Sequence, residues 1–142
     1  MSFDLKIVSN DLAINSDGTL QTVINNDKLI QDIIKAILTP IGSNKFFKWY
    51  GCAVNSRVIG QNLDATLTQI EIQRSIQDTL TNLISLQKAQ ARTQYVSAGE
   101  SIAAVQEILV LRNTEDPRQF EIYVSVLTRK LTIAETTFTL RV

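Results

Sequence analysis

The alternation of apolar and polar residues is clearest near the end of the chain. Apolar side chains occupy the even positions from Phe120 to Val126, and more polar ones stand between them. A period of two predicts a β-strand with one buried face. We expect one neighbouring strand before it, over residues 104–112, and another after it, over about residues 132–142. The turn-forming residues 113–118 join the earlier strand to the one that begins near Phe120. Three successive strands with short connections predict an antiparallel meander.

Two earlier segments have the helical period instead. In the first, apolar residues from Leu29 to Leu38 form one stripe, Asn26 is the expected N-cap, and Asp27 favours the first turn. Thr39-Pro40 should end this helix, because the residue before a proline avoids the α region.

The second helix is predicted from about Asp64 or Thr66 to about Gln90. Either of the first two residues can cap it. Its apolar stripe begins at Leu67, and its opposite face is polar. The polar face carries Gln69, Gln73, Arg74, Gln77 and Asp78.

Residues 4–24 indicate a small β unit. Asp17-Gly18 is a turn signal, so we expect a β-hairpin in which Leu12 and Ile14 lie on a half-buried strand. The whole order is a short β unit, a helix, a long connection, a long helix and a three-stranded meander. This order predicts an α+β fold for one domain covering residues 1–142.

The long connection, residues 39–64, contains an aromatic cluster. We expect short helical turns near Ser56–Ile59, and the aromatic residues are Phe46, Phe47, Trp49 and Tyr50. Two interpretations stay open for the cluster. It packs the loop onto the helices, or it anchors a partner protein, since aromatic residues are enriched at the centres of interfaces.

Composition excludes several function classes. Fourteen basic residues balance fourteen acidic ones, whereas nucleic-acid binding requires a surplus of positive charge. No apolar stretch approaches the length of a membrane helix, and the N-terminus lacks the features of a signal peptide. We therefore expect a protein made in the cytosol, with neither nucleic acid nor membrane as a partner.

The absence of histidine argues against catalysis. It removes the commonest general base and zinc ligand, and the single cysteine, Cys52, is expected to be a small buried residue. No phosphate-binding glycine motif is present. A glycosidase needs only two carboxylates, for which the candidates are Glu71, Asp78, Glu100 and Glu107. Solvated surface charge is the more ordinary interpretation, so we predict no enzyme, no metal and no cofactor.

The last strand is the most informative positive feature. The meander order places it at the outside of the sheet, and Thr136–Leu140 contains neither the proline nor the charge that usually protects an edge. Phe138, Leu140 and Val142 should share one face, and Thr137, Thr139 and Arg141 the other. It is either an edge strand that simply ends or an edge to which another chain adds a strand.

The segment after the first helix resembles a known pattern. Leu38-Thr39-Pro40-Ile41-Gly42-Ser43 is followed by Trp49-Tyr50-Gly51-Cys52. A helix ending in Leu-Thr, then a glycine, then an aromatic-glycine pair is similar to the baseplate wedge family of contractile-tailed phages. Members of that family act as tail sheath initiators, and related proteins occur in contractile bacteriocins and type VI secretion systems. The order of parts extends the resemblance over most of the chain.

The resemblance implies a structural baseplate protein of the virion. Its partners would be the tail sheath protein, other baseplate wedge proteins, and tail tube or hub proteins. Its C-terminal sheet would mimic that of a sheath subunit, so that strands of the first sheath ring add to it. The residues implied in this contact are Thr136, Thr137, Phe138, Thr139, Leu140, Arg141 and Val142.

One stretch departs from the family pattern. Members carry Glu-Pro-Arg after the long helix and use it to grip other wedge proteins. This sequence has Lys88-Ala89-Gln90-Ala91-Arg92-Thr93 there, so the docking role is carried over to Arg92 alone, and the alternative is that Arg92 is a plain surface arginine. Some members have a lysozyme-like label, which the isolated carboxylates of this sequence do not support.

Overall fold

The computed structural model describes residues 2–142, which form the expected α+β fold. The strands and helices in chain order are β1 (Phe3–Leu5), β2 (Ile7–Val8), β3 (Asp11–Leu12), β4 (Thr22–Ile24), α1 (Asn25–Leu38), α2 (Val54–Arg57), α3 (Ala65–Gln90), β5 (Ile102–Arg112), β6 (Gln119–Thr128) and β7 (Ile133–Arg141). The two main helices and the C-terminal meander were predicted from sequence, and both are confirmed.

The C-terminal sheet has the order β5-β6-β7 and is antiparallel throughout. Its central strand, β6, turns its even-numbered residues toward the helices, and Phe120, Ile122, Val124 and Val126 are each at most 1% exposed. The predicted period of two is therefore the division between a buried and an outer face.

The core lies between this face and the two long helices. Leu29, Ile33 and Ile37 of α1 are buried in it, together with Ile72, Ile76, Leu80 and Leu83 of α3. Phe138, Leu140 and Val142 pack against the same core from β7. The predicted division of faces along the last strand is confirmed by this packing.

The helix boundaries show where local signals succeeded. Asp64 caps α3, because its side chain accepts a hydrogen bond from the Leu67 N–H at 2.7 Å. Thr39-Pro40 ends α1 as expected. Asn26 is not the N-cap of α1, so that prediction was wrong. The helix begins at Asn25, the N-cap position belongs to Ile24, two residues before Asn26, and the Asn26 side-chain oxygen is buried with no hydrogen-bond partner within residues 2–142.

Residues 3–24 form a forked β unit, which we call the N-terminal arm. β1 pairs with β4 at its base. One tip is the predicted hairpin, with Gly18 at φ +83° and Ile14 bridged to Leu20. The other tip joins β2 to β3 through Ser9-Asn10, and sequence reasoning missed it. Both residues have positive φ, as a type I′ turn requires.

The arm is less buried than predicted. Leu12 is 44% exposed and Ile14 is 62% exposed, so neither lies on a half-buried strand. The alternation that indicated burial is present, but the tips extend beyond the part of the arm that contacts α1. A strand pattern alone does not reveal whether a second layer exists to cover it.

Candidate functional site

The outer edge of β7 presents unpaired backbone groups. Hydrogen bonds at both ends of the β6–β7 ladder set its phase: Thr128 N–H donates to the Thr132 carbonyl, and Val142 N–H donates to the Arg118 carbonyl, both at 2.9 Å. Because bonded pairs alternate along an antiparallel ladder, the even residues of β7 bond to β6. The odd residues Ile133, Glu135, Thr137, Thr139 and Arg141 therefore direct their N–H and C=O groups away from the sheet.

This edge is long and regular. β7 pairs with β6 over nine consecutive residues with no bulge, a length of roughly 30 Å at the rise of an extended strand. Within residues 2–142, no hydrogen bond joins the outward backbone groups of these odd residues to another segment. Thr137 and Thr139 are also exposed. A strand of another chain would find a continuous row of donors and acceptors here.

The opposite edge of the sheet, on β5, is covered. Asn113 N–H donates to the Gln119 carbonyl at 2.9 Å, so the even residues of β5 face outward by the same alternation. The outward carbonyls of Ile108 and Val110 accept hydrogen bonds from α3. The donors are the side-chain amides of Gln73, at 3.3 Å, and Gln69, at 3.1 Å.

β5 is also irregular. Its pairing with β6 shifts register between Ile102 and Ala104 and again between Val105 and Glu107. Bulges of this kind twist a strand and are one way to protect an edge. The predicted polar face of α3 is therefore not wholly solvent-facing, since Gln69 and Gln73 are directed at β5.

The aromatic loop (residues 42–50) is closed at its base. Ile41 N–H donates to the Cys52 carbonyl, and Cys52 N–H donates to the Thr39 carbonyl, at 3.0 and 2.8 Å. Gly51 has φ +114°, and a Cβ there would lie 2.5 Å from the Thr39 oxygen, so only glycine fits. Cys52 is buried, as predicted.

The side chains of this loop point largely outward. Phe46 is 90% exposed, Phe47 52% and Trp49 44%. Phe47 and Trp49 contact edge to face with ring centroids 5.9 Å apart, and Trp49 contacts Tyr50 similarly at 6.5 Å. Packing onto the body of the protein accounts for Tyr50, which is half-buried. It does not account for Phe46, and a partner for the loop stays a prediction.

Arg92 lies just beyond α3. Its backbone N–H donates to the Ala89 carbonyl in the turn that ends the helix, and its side chain is exposed. It is accessible to a partner, and its role in docking stays a prediction.

A charged cluster between the arm and α1 was not found from sequence. The Lys35 ammonium bonds to Asp4 of β1 and, at 3.0 Å, to Asp32 of α1. Lys28 also bonds to Asp32, at 2.9 Å. The side chain of Gln31 donates to Asp4 and to the Leu5 carbonyl and accepts from the Ile7 N–H. Asp4 and Lys35 are 31 residues apart, so no local pattern could have joined them.

The surroundings of Asp4 and Lys35 favour the ionised form of each side chain. Burial would raise the pKa of Asp4, but hydrogen bonds from Lys35 and Gln31 and the Lys35 charge outweigh it, and the net pKa is lowered. Burial would lower the pKa of Lys35, but its hydrogen bonds to Asp4 and Asp32 raise the net value. Burial also raises the pKa of Tyr50. Tyr50, Asp4, Asp32 and Lys35 all line one surface cavity of about 610 Å³.

The four candidate carboxylates do not come together. Glu71 and Asp78 lie on α3, and Asp78 is bonded to Arg57 at 3.1 Å. Glu107 lies on the outer face of β5 and Glu100 is 2% exposed before that strand. The sheet therefore separates Glu107 from the carboxylates of α3.

Among residues 2–142, no group of three or more Cys, Asp or Glu side chains is arranged to hold a metal ion. None of the helices in this part of the chain is both long and apolar enough to cross a membrane.

Comparison with known proteins supports the fold. No protein-family model matches the sequence, and no curated protein sequence matches it. The crystal structure of a candidate tail lysozyme from Geobacter sulfurreducens has the same fold, with a TM-score of 0.60. The match covers 82% of this chain and 89% of that one at 13% sequence identity. The chain therefore shares the fold of a protein described as a tail lysozyme.

Proposed function

We propose that this chain is a structural component of a contractile tail baseplate, and that it initiates sheath assembly by accepting a strand of the first sheath ring along β7. The observation that carries the proposal is the open, unbulged edge of β7, with outward backbone groups at alternate residues from Ile133 to Arg141. The tail-protein fold of the structural neighbour supports the setting.

The packing of β7 suits it to this role. Phe138, Leu140 and Val142 hold the strand on the core, while the groups that would bond a new strand point away from it. The template is therefore rigid before a partner arrives, and a preorganised site loses less entropy on binding. The sequence Thr136–Leu140 adds no charge that would repel an incoming strand.

A non-enzymatic role is part of the proposal. The name of the structural neighbour raises a glycosidase as the competing function, and such an enzyme needs one carboxylic acid that stays protonated. The surface cavity of about 610 Å³ beside Lys35 brings two carboxylates together, and these are Asp4 and Asp32. Both are bonded to Lys35, and the hydrogen bonds from Lys35 and Gln31 lower the pKa of Asp4, so Asp4 is not suited to act as a protonated general acid.

A turbidity assay on purified cell walls separates the two functions. We expect no clearing by the wild-type chain and no difference in Asp4→Asn or Asp32→Asn. Clearing that is lost in either variant would replace the structural role with hydrolysis.

The edge itself is tested by proline substitution. Proline at 137 and 139 removes two N–H groups that point away from β6, and edge strands tolerate proline at such positions. We expect baseplates carrying Thr137→Pro/Thr139→Pro to bear at least about tenfold less sheath by electron microscopy, since two hydrogen bonds are lost and a strand is blocked. Thr137→Val/Thr139→Val keeps both N–H groups and is the matched control. Normal sheath on the proline variant would refute the proposal.

The aromatic loop and Arg92 are proposed as contacts to neighbouring wedge proteins. At 90% exposure, Phe46 is the most exposed of the large hydrophobic side chains within residues 2–142. We expect Phe46→Ala or Trp49→Ala to reduce incorporation of the subunit into baseplates without lowering its thermal stability. Phe3→Ala, at an aromatic residue that is 64% exposed in the arm, is the control. Equal incorporation of all three variants would argue against the loop.

A further inference from the structure

The two edges of the C-terminal sheet differ in a way that the proposed function does not require. A sheath strand needs an open edge on β7, but nothing in that role explains why two glutamines of α3 should bond to β5. Gln69 and Gln73 reach the Val110 and Ile108 carbonyls across 41 and 35 residues of sequence, respectively.

These two carbonyls are the acceptors that an added strand would need. Outward carbonyls on an antiparallel edge recur at every second residue, so Ile108 and Val110 are consecutive acceptors in the regular half of β5. The register shifts lie in the other half, between Ile102 and Glu107. The glutamine amides therefore occupy the stretch of this edge that the bulges leave straight.

We propose that Gln69 and Gln73 act as a guard that makes the sheet accept strands on its β7 side only. A sheet with two open edges can join its neighbours head to tail without limit, because such contacts do not close. A sheet with one open edge can start a series of strand additions but cannot become an internal member of it. Because of the guard, the chain can form the first member of a series of paired sheets, whichever protein supplies the strand that β7 receives.

The guard can be removed by substitutions on α3 alone, with no residue of the sheet replaced. In Gln69→Ala/Gln73→Ala the helix keeps good helix-forming residues, and the two β5 carbonyls lose their donors. Gln77→Ala is the matched control, because Gln77 is an exposed glutamine of the same helix whose side chain makes no hydrogen bond within residues 2–142.

Sedimentation velocity over a concentration series provides the measurement. We expect the wild type and Gln77→Ala to form nothing larger than a dimer, because a β7 edge can pair only with the β7 edge of a second copy. The double variant should form larger species that grow with concentration, through β7 of one copy and β5 of the next. No sheath protein takes part, so this result is independent of the proposed function.

A combined variant distinguishes edge pairing from misfolding. Adding Thr137→Pro/Thr139→Pro to the double variant closes the β7 edge, and we expect it to return the protein to species no larger than a dimer, because only β5 edges are left to pair with each other. Large species that persist in this combination would come from nonspecific aggregation and would overturn the inference. A double variant that has a wild-type circular dichroism spectrum and stays no larger than a dimer would overturn it equally.

Discussion

β5 and β7 flank the same central strand, yet one edge is protected and the other is open. On β5, two register shifts and the amides of Gln69 and Gln73 interrupt the row of backbone groups. On β7, nine residues pair in unbroken register and their outward groups have no partner within residues 2–142. Since unprotected edges promote aggregation, a chain that covers one edge and leaves the other open indicates that the open edge has a use.

The difference does not come from strand propensity. β5 and β7 both contain β-branched or long apolar residues, and both pack on β6. It comes from what lies beside each strand, because α3 runs along β5 and directs side-chain donors at it. An edge is therefore a property of the neighbouring element as much as of the strand itself.

The largest effect should come from the strand that both edges share. Phe120→Ala removes a fully buried ring from β6, and we expect it to lower the free energy of unfolding by about 3–5 kcal/mol. Protection from hydrogen exchange should fall together at the amides of Leu109 and Phe138, which bond to β6 from the two sides. Leu111→Ala, at an exposed position on the outer face, should have little effect. Loss of protection on one side only would mean that the edges are independently stable.

Proline scanning tests the phase of the β7 ladder. Thr136→Pro removes an N–H that bonds to the Val124 carbonyl of β6, and we expect the unpaired carbonyl to lower the free energy of unfolding by about 1–3 kcal/mol. Thr137→Pro removes an N–H that points outward and should cost much less. Chemical denaturation of the two variants compares them directly, with the same residue type replaced at adjacent positions. Equal losses would show that the assignment of inward and outward groups is wrong.

Removing one half of the guard should have a moderate effect on stability. Gln73→Ala leaves the Ile108 carbonyl without its donor, which we expect to cost about 1 kcal/mol. Gln77→Ala should change the free energy of unfolding by less than about 0.5 kcal/mol, as is usual for exposed sites. A Gln73→Ala variant as stable as Gln77→Ala would mean that the contact with β5 contributes nothing.

The smallest effect is a pH dependence that separates the arm from both edges. The edges involve neutral backbone and amide groups, whereas the arm is joined to α1 through Asp4, whose pKa is lowered from the ordinary 3.8. Stability from a lowered carboxylate pKa is present above the ordinary value and is lost as pH falls through the folded value.

We therefore expect the wild type to have a higher melting temperature than Asp4→Asn at neutral pH. The difference should shrink as the pH falls below about 4, because the Asp4 carboxylate is then protonated and as uncharged as the asparagine. Calorimetry between pH 7 and pH 3 measures this. A constant difference across the range would mean that the Asp4 charge does not hold the arm. The dimer expected from β7 pairing should persist over the same range above the acid transition.

Local chemistry made much of the fold predictable. Asp64 caps α3 because a carboxylate beside free N–H groups is favourable wherever the helix lies, and Pro40 ends α1 because its ring excludes the preceding residue from the helix. The alternation on β6 records burial on one face directly. Asn26 shows the limit of such signals, since this residue is suited to capping but lies two positions after the observed N-cap, inside the first turn.

The sequence by itself determined the two long helices, the three C-terminal strands, their order and the absence of charge and proline along Thr136–Leu140. Only the tertiary structure decided which edge is open, that Gln69 and Gln73 cover the other, and that Lys35 joins Asp4 to Asp32. The physical reason is distance along the chain. A cap or a turn joins residues a few positions apart, while these contacts depend on how the layers pack, and no local pattern encodes that packing. The sequence predicted that the last strand lies at an edge of the sheet. The packing of the other elements left the outward backbone groups of that strand without a hydrogen-bond partner within residues 2–142.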